Sequence, residues 1–425
     1  MTLMEDLQQR GLINQATDEK GLKELLEKEQ VKLYCGFDPT GDSLHIGHLI
    51  TIITLRRFQL AGHQPFPLVG GATGLIGDPS GKNAERTLNE QSVVEGFSDK
   101  IRSQLEKHLD FTGENKAVLM NNYDWIGQMT VVDFLRDTGK HFSVNYMLAK
   151  ESVEARIQSG ISFTEFSYQI LQSLDFHHLY KEHGVKLQIG GSDQWGNITA
   201  GLELIRRMHG ADEEEREPAF GFTIPLVTKA DGQKFGKTEG GAVWLDPEKT
   251  SPYEFYQFLL NTDDQDVIKF LKFFTFVELA EIEELEDEVK ERPHERAAQR
   301  RLAEELTRFV HGEEALQQAQ NISAALFGKG ELTELTASEI EQGFKDVPGV
   351  TLSVEEIPLV DLLIETGAAP SKRQAREDIQ NGAVYLNGGR CQELDKSVGK
   401  TEKIEDTFTI LRRGKKKFFL IRWAG

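Results

Sequence analysis

An alternation in the first half of the chain narrows the fold most. Strand-like apolar runs at residues 31–38, 66–69 and 185–189 are separated by amphipathic helical patterns. Alternation of this kind builds an α/β domain with a mainly parallel sheet, Rossmann-like in layout. In open sheets of that class a ligand sits beyond the carboxyl ends of the strands. Each run opens there into a distinctive loop: Pro39 and then LHIGH after the first, GGATGLIGDPSGK after the second, GGSDQWGN after the third. The three loops are therefore expected to converge on one crevice. Side chains alternate along a strand, so Tyr34, Gly36 and Asp38 share one face of the first. Helices are expected over residues 44–61, stopped by Gly62, and over 198–208. The roughly one hundred residues between the second and third runs exceed a simple crossover and read as a helical insertion.

Beyond the sheet, residues 222–245 read as a β-rich segment with a turn at 230–232 leading into Lys234-Phe235-Gly236-Lys237-Thr238. Residues 252–326 carry a helical pattern with acidic blocks that mark a solvated face. The expected division is 1–221, 222–326, a linker at 327–356, and a small α+β domain at 357–425. The net charge of -20 argues against a nucleic-acid partner, since phosphate contacts need Lys and Arg. Residues 370–425, however, hold 13 Lys and Arg against 7 Asp and Glu, or +6, and leave -26 on the rest. A polyanion can dock on the tail. No run of about 18 apolar residues and no signal-peptide pattern occurs, so neither a membrane nor secretion is expected. Two cysteines without a CxxC pair suggest a reducing, cytoplasmic setting and no zinc site.

His45 and His48 lie three apart at the expected helix start, where free N–H groups suit phosphate oxygens and both rings would point into the crevice. Gly47 between them would let a nucleotide approach the backbone. Taken alone, an HxxH pair more often marks surface or capping histidines, and a metal pair would need further ligands. Lys234 and Lys237 sit on a glycine-containing loop that could close over a triphosphate, although a solvated hairpin has the same look. Lys82 and Arg86, four apart, could clamp the same phosphates or be plain surface charge.

The combination is more specific than its parts. YCGFDPTGDSLHIGH, LVGGATGLIGDPSGKNAERT, GISFTEFSYQILQSLDF, LQIGGSDQWGN and DGQKFGKTEGGAVWLD, in that order, resemble the class I aminoacyl-tRNA synthetases and, more narrowly, the bacterial tyrosyl-tRNA synthetases. The resemblance runs over nearly the whole chain. It implies a tyrosine-tRNA ligase that joins L-tyrosine to ATP, releasing pyrophosphate, and passes tyrosine to the 3'-terminal ribose of tRNA(Tyr). By the same resemblance Tyr34 and Asp175 would bond the substrate phenol, and Asp78, Tyr168 and Gln172 its ammonium. Gly36, Asp38, Gly47, His48, Thr51, Asp193, Gln194 and Lys237 would line the adenylate, with Gln194 also near tyrosine and Cys35 close by. Thr40, His45, Lys82, Arg86, Lys234 and Lys237 would stabilise the leaving phosphates. Mg²⁺ would travel with ATP; no resident metal or organic cofactor is implied.

The class-wide lysine loop is Lys-Met-Ser-Lys-Ser, so Phe235, Gly236 and Thr238 depart from it while both lysines remain. Residues 222–326 would then carry the lysine loop and an anticodon-side helical domain. The tail resembles a small RNA-binding domain, with Lys372, Arg373 and Arg376 on its binding helix and Lys415, Lys416 and Lys417 as a second patch. The family works as a homodimer. A nucleotidyltransferase of the HxGH type is disfavoured by KFGKT and the basic tail, a tryptophanyl enzyme by Tyr34 and Asp175. A retired scaffold kept for RNA binding is disfavoured by the full set of phosphate-contact residues.

Overall fold

The computed structural model describes residues 1–80, 88–149, 153, 160–209, 217–238, 241–327, 330–414 and 417–424. The chain divides into two compact units, residues 1–250 with 262–302, and residues 251–261 with 303–425.

The first unit is built on six strands: β1 (Gln15–Ala16), β2 (Lys32–Phe37), β3 (Gln64–Val69), β4 (Met120–Asn121), β5 (Leu187–Gly191) and β6 (Phe220–Ile224). Their order across the sheet is β1-β6-β5-β2-β3-β4. All neighbours are parallel except the edge strand β1, which runs against β6. The α/β class expected from the alternation is the one the chain adopts. From β2 the chain builds outward through β3 and β4, whereas β5 and β6 fill the other side. The strand order thus reverses between β2 and β5, and a crevice opens at such a switch point. Both faces of a parallel sheet are covered, which is why Leu33, Tyr34, Cys35 and Phe37 are all buried along one strand. On one face Tyr34, Phe66, Leu68, Phe176, Leu179, Val185 and Ile205 form a continuous apolar cluster.

Two differences from the expected elements matter for the site. Strand β4 lies inside the stretch read as insertion and pairs with β3, so part of that stretch is a further crossover carrying the helix Gln91–His108. The α-helix after β2 spans Leu49–Leu60, preceded by a single 3-10 turn, Ile46–His48, for which His45 is the N-cap. His45 therefore stands before the helix rather than on its face. The helix Phe163–His183 starts where the Ser162 side chain accepts a bond from the Glu165 N–H and ends at Gly184, whose φ of 68° suits a left-handed cap. Tyr168, Gln172 and Asp175 follow at spacings of four and three, so one face of this helix presents all three.

In the second unit, β9 (Gly349–Leu352), β11 (Val384–Leu386), β12 (Gly389–Cys391), β14 (Phe408–Arg413) and β15 (Lys417–Trp423) form a sheet ordered β12-β11-β14-β15-β9. The intervening β10 (Ile357–Pro358) and β13 (Ser397–Val398) pair with each other, and β7 (Lys237–Thr238) with β8 (Gly241–Ala242) in the first unit. The helices Leu359–Glu365 and Lys372–Gln380 share a core with this sheet through Leu362, Leu363, Ala375, Ile379, Val384 and Ile421. The basic residues of Lys372–Gln380 are left on its outer side.

Candidate active site

Beyond the carboxyl ends of β2, β3 and β5 lies a cleft with a cavity volume of about 240 Å³. Its lining includes Tyr34, Gly36, Asp38, Thr40, His48, Thr51, Asp78, Tyr168, Gln172, Asp175, Asp193 and Gln194. Twelve residues singled out in the sequence thus meet in one place, and Cys35 joins them. His45, Gly47, Lys234 and Lys237 are not among the lining residues. Lys82 and Arg86 lie outside the described residues, as do Lys415 and Lys416.

One end of the cleft is a buried hydrogen-bond network. Asp175 accepts from Asn122 Nδ2 and from Trp125 Nε1, both at 2.9 Å. Complete burial raises its carboxyl to about 8, against the pull of those two donors. The Tyr34 hydroxyl is buried with no hydrogen-bond partner among the described residues, and its ring packs on Phe176 at 5.3 Å. Burial, and then the Asp175 charge, push its ionisation well above the usual phenol range. A buried hydroxyl left unpaired is costly, so this atom is poised for a polar group entering the cleft. Tyr168 donates to Asp38 Oδ2 and Thr73 to Asp38 Oδ1, both at 2.7 Å. Gln194 donates to Asp78 at 2.7 Å, Gln172 to Gln194 at 3.1 Å, and Asn197 to Gln172 at 2.8 Å. Burial, with the neighbouring Asp78 charge, raises the Asp193 carboxyl.

The segment holding His45 and His48 is built from backbone geometry. The Gly47 N–H donates to His45 Nδ1 and the His45 N–H to His48 Nδ1, both at 3.1 Å. With Nδ1 an acceptor in each ring, the neutral tautomer carries its proton on Nε2. Burial and then the His45 charge lower His48 to about 3, so it is neutral at pH 7. Gly47 has a reason beyond ligand approach: a Cβ there would stand 2.8 Å from His45 Cε1. In the lysine loop Phe235 is buried against Phe270 and Phe274, with centroids at 4.3 and 5.2 Å. Gly236 has a φ of 84°, and a Cβ on it would lie 2.2 Å from Ile46 Cγ2. Two of the three departures from the class-wide loop, Phe235 and Gly236, therefore anchor it. Lys234 and Lys237 are exposed, and Lys234 is near enough to oppose the rise at Asp193.

Residues 26–328 match the family model for class I tRNA synthetases of the tryptophan and tyrosine type, and residues 339–421 match the C-terminal domain of tyrosine-tRNA ligases. The tyrosine-tRNA ligase 1 of Bacillus cereus is 64% identical over 424 residues, covering 100% of each chain. The chain belongs to the tyrosine-tRNA ligase family. The tyrosine-tRNA ligase of Geobacillus stearothermophilus is likewise 64% identical over 425 residues and 100% of both chains. A solved structure, the C-terminally truncated mitochondrial tyrosyl-tRNA synthetase of Aspergillus nidulans, superposes with a TM-score of 0.69 at 31% identity, covering 77% of this chain and 94% of that one.

Reading the ligase from sequence missed Asn122, Trp125, Thr73 and Asn197, which hold the site residues in place. The first two lie just after β4, in the run Asn122-Tyr123-Asp124-Trp125, and that strand is too short to show alternation. In the tail, Lys372 pairs with Asp361 at 2.6 Å, while Arg373 and Arg376 are exposed on the same helix. Among the described residues no group of three or more His, Cys, Asp or Glu is arranged to hold a metal, and no helix is long and apolar enough to cross a membrane.

Proposed function

We propose that in this tyrosine-tRNA ligase the cleft beyond β2, β3 and β5 holds tyrosine and ATP together, with Tyr34 and Asp175 reading the phenol. The observation that carries this is the buried, unpartnered Tyr34 hydroxyl beside a fully buried Asp175. Phenylalanine would leave the Tyr34 hydroxyl unpaired and bring no further donor to Asp175, and that penalty is the source of selectivity. Asp78, Tyr168 and Gln172 hold the ammonium, and Gln194 orders them through its bonds to Asp78 and Gln172. Gly36, Asp38, Gly47, His48, Thr51 and Asp193 line the adenylate.

A tyrosine carboxylate oxygen attacks the α-phosphorus of ATP, the bond to the bridging oxygen breaks, and pyrophosphate leaves. A carboxylate is already nucleophilic at pH 7, so this step needs no general base. Positioning and charge stabilisation carry it. Thr40, His45, Lys82, Arg86, Lys234 and Lys237 stabilise the departing phosphates, and Mg²⁺ enters as part of the ATP complex. A 3'-terminal ribose hydroxyl of tRNA then attacks the adenylate carbonyl and AMP leaves. Lys372, Arg373 and Arg376 contact tRNA phosphates through the tail. The working division remains 1–221 for chemistry, 222–326 for the lysine loop and anticodon side, 327–356 as linker and 357–425 for RNA.

The ligase acts as a homodimer: Val131, Val132, Leu135, Val144, Leu148 and Phe163 are exposed, the first and last each by 73%, and apolar exposure of that extent marks an interaction surface. Sedimentation equilibrium should return twice the chain mass. Two buried, unpaired cysteines suit the cytoplasm. The pocket reading is tested by Tyr34→Phe: tyrosine binding without ATP should weaken about tenfold, and an unchanged affinity contradicts it.

A further inference from the structure

Residues 44–46 and 243–245 form a short antiparallel pair around the first histidine of HIGH. The Ile46 N–H donates to Val243 O at 2.8 Å and the Leu245 N–H to Leu44 O at 2.9 Å. His45 and Trp244 are thus directly opposed between those two bonds, the arrangement in which cross-strand side chains come closest. Their rings meet edge-on, with centroids 6.2 Å apart and planes at 66°.

Trp244 is itself gripped. Its backbone N–H donates to Thr250 Oγ1 at 3.0 Å, and the Lys249 ammonium lies 5.2 Å from its ring centroid. Lys249 is held by Asp42 at 2.7 Å, which also takes Lys100 at 3.3 Å. The same strand reaches the lysine loop, because the Val243 N–H donates to Gly236 O at 3.0 Å. One short strand therefore touches the HIGH segment on one side and KFGKT on the other.

We propose that Trp244 is a positioning residue for adenylate formation, holding the His45 ring in its aim at the leaving phosphates and tying that aim to the lysine loop. The proposal rests on the reading that His45 contacts those phosphates. His45 keeps its bond from the Gly47 N–H without Trp244, but loses the wall beside its ring. A donor displaced by a fraction of its reach is worth little to a transition state that depends on geometry.

The test is a double-mutant cycle on the full chain, following single-turnover formation of tyrosyl-adenylate, with tyrosine binding measured separately without ATP. W244L should lower the rate at saturating ATP about tenfold and leave tyrosine affinity unchanged, while W244F restores most of the rate. In H45A, W244L should cost almost nothing further, because the two act as one unit. Losses that multiply would overturn the proposal. A wild-type rate in H45A would instead overturn the phosphate reading of His45, and the proposal with it. Should W244L fail to bind tyrosine, K249M replaces it: a modest slowing in the parent that vanishes in H45A supports the proposal, and one that persists overturns it.

Discussion

Replacing Asp175 by alanine separates recognition of the phenol from everything else in the cleft. Asp175 is 2% exposed, and its two oxygens accept from Asn122 and Trp125. With the carboxylate gone, a bound tyrosine buries its hydroxyl with one acceptor fewer. Losing a charged hydrogen-bond partner there costs about 2–3 kcal/mol, or roughly 30- to 150-fold in kcat/KM for tyrosine. Phenylalanine brings no hydroxyl, so its far slower activation should change little. The KM for ATP should also stay near the parent value, because the proposed role of Asp175 is to read the phenol. Asn122 and Trp125 lose their acceptor as well, so the variant should melt earlier by the equivalent of about 2 kcal/mol, and activity must be read well below that transition. The assay is ATP-pyrophosphate exchange with tyrosine and phenylalanine, varied against ATP. Equal losses for both amino acids, or a matching rise in the KM for ATP, would refute the reasoning.

Three further outcomes follow from the geometry. Because burial raises Asp175 to about 8 while a phenol donor favours its carboxylate, tyrosine affinity should rise with pH and level off above about 8, gaining about tenfold between pH 6.5 and 7.5; calorimetric titration showing a flat or falling profile would count against it. Gly47→Ala would drive a Cβ into the His45 ring, so single-turnover adenylate formation should fall about tenfold with tyrosine binding intact; an unchanged rate would remove the steric argument. Neutralising Lys372, Arg373 and Arg376 together should leave pyrophosphate exchange untouched, weaken tRNA binding, and reduce its salt dependence by about one unit for each phosphate no longer neutralised; a filter-binding series with an unchanged slope would place the RNA-binding surface elsewhere.

What could be read in advance was local. The strand ends and their loops are contiguous signals, and the topology brings them together because ligand sites of this sheet class lie at a switch point; the two lysines were as legible but stand outside the cleft lining. Tyr168, Gln172 and Asp175 were legible only through the family resemblance, and the helix Phe163–His183 then places them on one face. Asn122 and Trp125 were not, because β4 is two residues long and their partner is some fifty positions away. Nor could helical periodicity show that His45 is a cap residue whose ring folds back over Gly47, since capping breaks the period it precedes. Phe235 and Gly236 looked like departures from a motif and prove to be the loop's anchor, a role set by residues 46, 270 and 274 and visible only once those are packed together.

The measurement closest to the central claim is ATP-pyrophosphate exchange by the purified chain with each of the twenty amino acids in the absence of tRNA. Exchange with tyrosine alone, lost in Asp175→Ala, is the expected result. Exchange with tryptophan, or with none of the twenty, would contradict the assignment of the cleft.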